Sequence, residues 1–111
     1  MLEDTTRANL LYDFYGNLLT AKQREVFELY FQHDLSLGEI AEGSGISRQG
    51  VHDLARRAVR TLKRAEARLG LVARFAWQEK VLQSVRQLLS EEVLRPEARA
   101  EALSLLEELL D

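Results

Sequence analysis

One stretch of the chain, residues 36–57, constrains the fold more than any other. Ser36 is suited to cap a helix, and Glu39 stands three residues later, where a carboxylate completes a capping box. Gly45 follows at a point where a tight turn needs positive φ. Ser47 can then cap a second, longer helix. The order of short helix, tight turn and long helix predicts a helix-turn-helix.

The apolar residues of this stretch stand where a helix-turn-helix needs buried contacts: Leu37, Ile40, Ala41, Ile46, Val51 and Leu54. Polar residues remain for the outer face of the second helix: Arg48, Gln49, His52, Asp53 and Arg56. We interpret Gly50 as room for a tight crossing against the first helix, with close approach to a ligand as the alternative. The fold alone does not decide between nucleic acid and protein as the partner, because it serves for both.

The whole chain reads as all-α, since strand-like alternation is absent and good helix formers dominate. We predict a helix-turn-helix with a tri-helical core and a long recognition helix, followed by a C-terminal helical hairpin. We predict two domains, 1–69 for the helix-turn-helix and 70–111 for a hairpin that packs on the long fourth helix. The predicted helices cover about residues 5–18, 20–32, 36–42, 47–69, 72–89 and 97–110. The second half of the fourth helix is expected to project beyond the core, with Val59, Leu62 and Leu69 packing elsewhere.

Composition argues against several classes of protein. The chain has no cysteine, which leaves no disulfide or thiolate metal site and is typical of a reducing cytoplasm. No apolar run approaches the roughly 20 residues that span a bilayer, and the acidic start lacks a signal-peptide pattern. His33 and His52 have no nearby carboxylate pattern, so we predict no metal and no cofactor. Ser44, Ser47 and Asp53 lack a nucleophile elbow, and a phosphate-binding loop is missing, so we predict that the protein is not an enzyme. The absence of cysteine, of a membrane span and of a signal-peptide pattern predicts a cytoplasmic protein.

Charge is distributed unevenly along the chain. The net charge is −3 overall, but residues 47–69 carry seven Lys/Arg against two acidic residues, net +5. One basic helix in an acidic protein suits focused contact with a polyanion.

We therefore predict a nucleic-acid site formed by Ser47, Arg48, Gln49, His52, Arg56, Arg57, Arg60, Lys63 and Arg64. At the start of the helix, an arginine can hold guanine and a glutamine can hold adenine in bidentate geometry. The later basic residues would follow the phosphate backbone. Two readings stay open for them, a phosphate-binding ridge or a solvated face whose arginines bridge to glutamates of the last two helices. Asp53 would repel phosphate or hold Arg56 or Arg57 at helical spacing.

Two resemblances rest on specific residues. Residues 18–66 resemble the fourth region of bacterial sigma factors, through Leu19-Thr20-x-x-Gln23-Arg24-Glu25-Val26 and Gly45-Ile46-Ser47-Arg48. Nearly the whole chain resembles the YlxM family, through Leu-Tyr-Asp-Phe-Tyr-Gly-x-Leu-Leu-Thr-x-Lys-Gln-Arg at residues 11–24 and matching runs at 34–41 and 46–53. The resemblance implies a DNA-binding regulatory protein, and gene neighbourhood in that family implies a role beside the signal recognition particle and its GTPase.

Three alternatives stay open at this point. The nucleic acid is DNA or RNA, with duplex DNA favoured. The protein could instead be a non-catalytic accessory factor that binds the signal recognition particle or its GTPase. The leucine-rich last helices either pack back on the fourth helix or form a homodimer.

Overall fold

The computed structural model describes residues 4–111, and every regular element among them is helical. Six α-helices follow one another in the order α1 Thr5–Tyr15, α2 Ala21–Phe27, α3 Leu37–Ser44, α4 Arg48–Leu69, α5 Leu71–Leu89 and α6 Pro96–Leu110. A 3-10 turn, Gly16–Leu18, follows α1, and α2 continues into a π-helical turn, Glu28–Gln32. The all-α prediction is confirmed, and the chain divides into two compact units after Val72.

The beginnings of α2 and α3 are fixed by local hydrogen bonds. Thr20 accepts from the backbone N–H of Gln23, whose side chain accepts in return from the N–H of Thr20. Ser36 and Glu39 form the same reciprocal pair, with both distances near 3 Å. The box of Ser36 and Glu39 stands where the sequence predicts it. Each box satisfies two N–H groups that a helix start leaves without partners.

The first helix is shorter than predicted because the chain tightens at Gly16. Tyr12 lies one turn earlier, and its ring occupies the space beside this glycine. A β-carbon on Gly16 would stand 3.0 Å from the ring. The ring of Tyr12 also stacks on Phe27, with centroids 4.6 Å apart and planes 7° apart. Gly16 therefore lets α1 pack an aromatic side chain between its own end and α2.

Two apolar clusters make up the core of the first unit, and α4 contributes to both. Val51 and Ala55 of α4 pack with Val26 and Ile40, which joins α4 to α2 and α3. The second cluster joins the later turns of α4 to α1 and to the aromatic end of α2 through Ala8, Leu11, Phe27, Phe31, Ala58, Val59, Leu62 and Ala65.

The second half of α4 is thus part of the core, which corrects the expectation that it projects beyond a tri-helical bundle. Val59 and Leu62 are buried, but Leu69 is 61% exposed and does not pack as predicted. Helix α1 accounts for the difference, because it runs along the later turns of α4 and covers them.

A hydrogen-bonded junction closes the first unit where α4 ends. The hydroxyl of Tyr15 donates to the Glu66 carboxylate at 2.6 Å and accepts from the N–H of Leu71 at 3.0 Å. The same Glu66 oxygen accepts from the N–H of Val72 at 2.9 Å. Gly70, with φ 62°, makes the sharp break before these residues. Side chains of α1 and α4 therefore cap the start of α5 and satisfy N–H groups that the helix cannot pair itself.

The second unit comprises Ala73–Asp111, with most of α5 and all of α6. Both helices contribute to one small cluster around Val81, Val85 and Ala102. Pro96 occupies the first turn of α6, where its missing N–H does no harm. The packing of this hairpin on α4 stays a prediction.

Candidate nucleic-acid interface

The turn between α3 and α4 has the geometry that the sequence predicts. Gly45 adopts φ 72° and donates its N–H to the carbonyl of Ala41, which ends α3. The helix runs to Ser44, two residues past the predicted end, because the left-handed Gly45 stops it and Gly43 does not. The Ser47 hydroxyl accepts from the N–H of Gly50 at 3.0 Å and so caps α4.

Gly50 is restricted by the turn and not by α3, which differs from the expected tight crossing. A β-carbon here would stand 2.7 Å from Ile46 Cγ2 and 3.1 Å from Ser47 Oγ. The branched side chain of Ile46 folds over the first turn of α4, so glycine gives it room.

The first turn of α4 leaves two polar side chains in solvent, Arg48 and Gln49. The amide of Gln49 donates to the carboxylate of Asp53 at 3.0 Å, one turn further along. Asp53 therefore orients Gln49 instead of holding Arg56 or Arg57, the pairing considered from sequence. The signal was present in the spacing, because Gln and Asp four residues apart face each other on a helix. His52 is half-buried at the flank of this surface.

Five basic side chains, Arg56, Arg57, Arg60, Lys63 and Arg64, are exposed along the next two turns and form what we call the basic face of α4. An open groove of about 400 Å³ runs along it, lined by Arg56, Val59, Arg60, Lys63, Arg64 and Ala67. A second depression of about 210 Å³ lies among Asp53, Arg56, Arg57 and Arg60. The basic face lies opposite the buried Ala58 and Leu62, because residues two apart on a helix point about 160° away from each other.

The described carboxylates of the first unit do not neutralise the arginines of this face. Among residues 4–72, the described part of the first unit, no carboxylate forms an ion pair with Arg56, Arg57, Arg60 or Arg64. Ion pairs elsewhere in the described chain lie on exposed surface, as Lys22 with Glu25 at 3.4 Å and Arg95 with Glu91 at 3.2 Å do. Within residues 4–72, four guanidinium groups on two turns have no carboxylate partner and create a concentrated positive potential.

The structure thus brings the predicted residues together on one helix in three roles. Ser47 forms the cap, Arg48 and Gln49 extend from the first turn, and the basic face follows. No group of three metal-ligating side chains occurs among residues 4–111. In the same part of the chain, none of the helices is both long and apolar enough to cross a bilayer.

These features define a helix-turn-helix protein with a basic second helix. The family model described as "Putative helix-turn-helix protein, YlxM / p13 like" matches residues 2–102. A UPF0122 protein of Bacillus mycoides is 49% identical over 92 residues, covering 83% of this chain and 84% of the relative. UPF0122 proteins of Bacillus cereus strains AH187 and G9842 are 48% identical over the same shares. The chain belongs to this YlxM-like helix-turn-helix family, which confirms the resemblance to the YlxM family.

Proposed function

We propose that the protein is a regulatory factor of the cytoplasm that binds nucleic acid, in the first place duplex DNA, through α4. The observation that carries the proposal is the basic face, whose arginines are exposed and unpaired with carboxylates in the first unit. Membership of a helix-turn-helix family supports the same function.

The dimensions of α4 agree with groove binding by its first half. Its 22 residues span about 33 Å, at 1.5 Å per residue, whereas the major groove is about 12 Å wide. Only the first three turns can enter the groove. The later turns, with Lys63 and Arg64, would then follow the phosphates beside it.

Arg48 and Gln49 are the residues we propose for base contacts. They extend from the N-terminal turn, which in helix-turn-helix proteins is the part of the recognition helix that meets base edges. The hydrogen bond to Asp53 limits the conformations of Gln49 before binding, which lowers the entropy cost of a contact with adenine. The carboxylate of Asp53 disfavours a close phosphate at this level and can accept from cytosine N4.

The basic face would supply most of the affinity through phosphate contacts. Each neutralised phosphate releases condensed counterions. On duplex DNA each release makes the fall of log affinity with log salt steeper by about 0.9. A protein with only four or five such contacts binds tightly at low salt and weakly at physiological salt.

The experiment is a fluorescence titration of labelled duplex DNA at several salt concentrations. We expect Arg60→Ala to weaken binding to all duplexes and to lower the salt slope by about 1. Arg48→Ala should instead reduce the preference among sequences. Arg7→Ala is the matched control, because Arg7 is an exposed arginine of α1, and it should leave both quantities unchanged.

Structured RNA is tested by the same titration, since its backbone offers the same charges. If neither duplex DNA nor RNA binds at low salt, the proposal fails. The second candidate would then be a non-catalytic accessory factor that binds the signal recognition particle or its GTPase, which the resemblance to the YlxM family supports. Capture of those proteins by the wild type and by an Arg56/Arg57/Arg60 triple alanine variant, with nuclease present, tests that candidate directly.

A further inference from the structure

The second unit has a small core and an unusual number of leucines in solvent. Leu82 and Leu89 of α5 are 50% and 51% exposed, and Leu103 and Leu110 of α6 are 48% and 86% exposed. On each helix these two leucines are seven residues apart, which is the repeat of helices that pack along a shared seam.

The four leucines lie on the same side of the hairpin. Each directly follows a residue of the inner cluster, in the pairs Val81–Leu82, Leu88–Leu89, Ala102–Leu103 and Leu109–Leu110. One residue turns a helix by about 100°, so each leucine is displaced from the core in the same rotational sense. The helices run antiparallel, because only residues 90–95 connect them and both line one cluster. On two antiparallel helices that lie side by side, equal rotations away from the shared core bring side chains to the same side of the pair. Leu82, Leu89, Leu103 and Leu110 therefore form one surface, which we call the leucine face.

The leucine face has a centre. Leu82 stands seven residues before the end of α5 at Leu89, and Leu103 stands seven residues after the start of α6 at Pro96. The two side chains therefore share one level of the hairpin. Leu89 lies nearer the connection, and Leu110 lies nearer the open end.

We propose that the leucine face binds a second copy of this chain in a two-fold dimer. The charges of the helices favour this partner: α5 carries three basic and one acidic residue, net +2, and α6 carries one basic and four acidic residues, net −3. A two-fold axis parallel to the helices places α5 of one copy against α6 of the other. Every adjacent pair of helices is then antiparallel, which also suits their dipoles.

Size supports the same partner. The face is about 22 Å long and, across two helices, about 20 Å wide. A helical surface of this size is of the same order as the roughly 800 Å² that each partner contributes to a stable interface. A unit of 39 residues, Ala73–Asp111, is also near the lower limit at which a core is sufficient without oligomerisation, a metal or disulfides.

The test is sedimentation velocity of the full-length protein without nucleic acid, so that its outcome is independent of the proposed function. We expect the wild type to sediment with twice the chain mass of 12.7 kDa at micromolar concentration. Leu82→Lys and Leu103→Glu should each raise the dimer dissociation constant by roughly 30-fold or more, as loss of an interface hot spot does. Leu18→Lys is the matched control, because Leu18 is 59% exposed but belongs to the first unit, and it should stay dimeric.

The double variant Leu82→Lys/Leu103→Glu tests the arrangement. If α5 faces α6 of the second copy, opposite charges meet twice and the dimer returns. If like helices face each other, like charges meet and the double variant is monomeric, which overturns the arrangement. A wild type that stays at 12.7 kDa throughout, or single variants that sediment like the control, overturns the proposal. Far-UV circular dichroism confirms that every variant remains helical.

Discussion

The two units of the chain distribute apolar and charged side chains in opposite ways. The first unit buries large apolar groups such as Phe27, Leu11 and Leu62 almost completely, and it places a row of arginines in solvent. The second unit buries a narrow seam around Val81 and Val85, while four leucines of the leucine face remain exposed. The first unit is therefore stabilised by its own core and exposes a charged surface. The second unit has a small core and exposes an apolar surface.

The largest effect should follow from removing a core side chain of the first unit. Phe27 is fully buried, stacks on Tyr12 and lies 4.6 Å from the ring of Phe31. We expect Phe27→Ala to lower the free energy of unfolding by about 3–5 kcal/mol, because it leaves a cavity between α1, α2 and α4. Leu18→Ala, on the exposed surface of the same unit, should change it by no more than about 0.5 kcal/mol. Urea denaturation measures both, and equal losses would contradict a core confined to the buried clusters.

The next largest effect concerns the junction that ends the first unit. Tyr15→Phe removes the hydroxyl that donates to Glu66 and accepts from Leu71, and it leaves both groups without that partner. We expect Tm to fall on the order of 10 °C, since unpaired groups at a buried site are costly. Tyr30→Phe is a suitable control, because the described residues provide no hydrogen-bond partner for that hydroxyl, and Tm should change little.

The junction also predicts how stability depends on alkaline pH. Burial raises the pKa of Tyr15 above its ordinary value of 10.0, and the hydrogen bond to Glu66 raises this pKa further. Because this pKa is raised in the folded state, the stabilisation that the Tyr15 hydroxyl provides is complete below pH 10.0. It is lost as pH rises through the folded-state pKa. Thermal melts from pH 9 to 11 should therefore show a steeper loss for the wild type than for Tyr15→Phe. Parallel curves would show that the junction does not control this titration.

A smaller effect is expected at the start of α3. Ser36→Ala should cost about 1 kcal/mol, because it removes the hydroxyl that accepts from the N–H of Glu39. The hydrogen bonds with Ser36 hold the pKa of Glu39 below its ordinary value of 4.5. The stabilisation from the ionised Glu39 carboxylate is present above pH 4.5 and is lost as pH falls through its folded-state pKa. Glu39→Gln should therefore make the free energy of unfolding depend less on pH in acid. Glu42→Gln, an exposed change on the same helix, should leave that dependence unchanged, and the comparison is made by urea denaturation from pH 3 to 6.

Features that depend on neighbours in the sequence were predictable. Both capping boxes, the left-handed Gly45 and the span of α4 from Ser47 to Gly70 follow from residues within four positions of each other. The family signature and the basic segment also follow directly from the residues present. These features are local, so their physical causes are visible before the fold is known.

Features that depend on distant contacts were not predictable. Tyr15 and Glu66 are 51 residues apart in the chain, and nothing near either residue indicates their hydrogen bond. The π-helical turn at Glu28–Gln32 sets the direction in which Phe31 enters the core, and periodicity does not distinguish it from an α-helix. The burial of the second half of α4 likewise depends on where α1 packs. The hydrogen bond from Gln49 to Asp53 had a local signal, but Arg56 and Arg57, three and four residues after Asp53, also stand at helical contact spacing.

The most direct test of nucleic-acid binding by α4 is to map the contact surface by NMR. The labelled full-length protein is titrated with a short duplex DNA at low salt. We expect amide shifts to change mainly at residues 47–64 and to return toward their free values as salt is added. Shifts confined to the second unit, or no shifts at a DNA concentration well above that of the protein, would contradict the claim that α4 is the nucleic-acid-binding element.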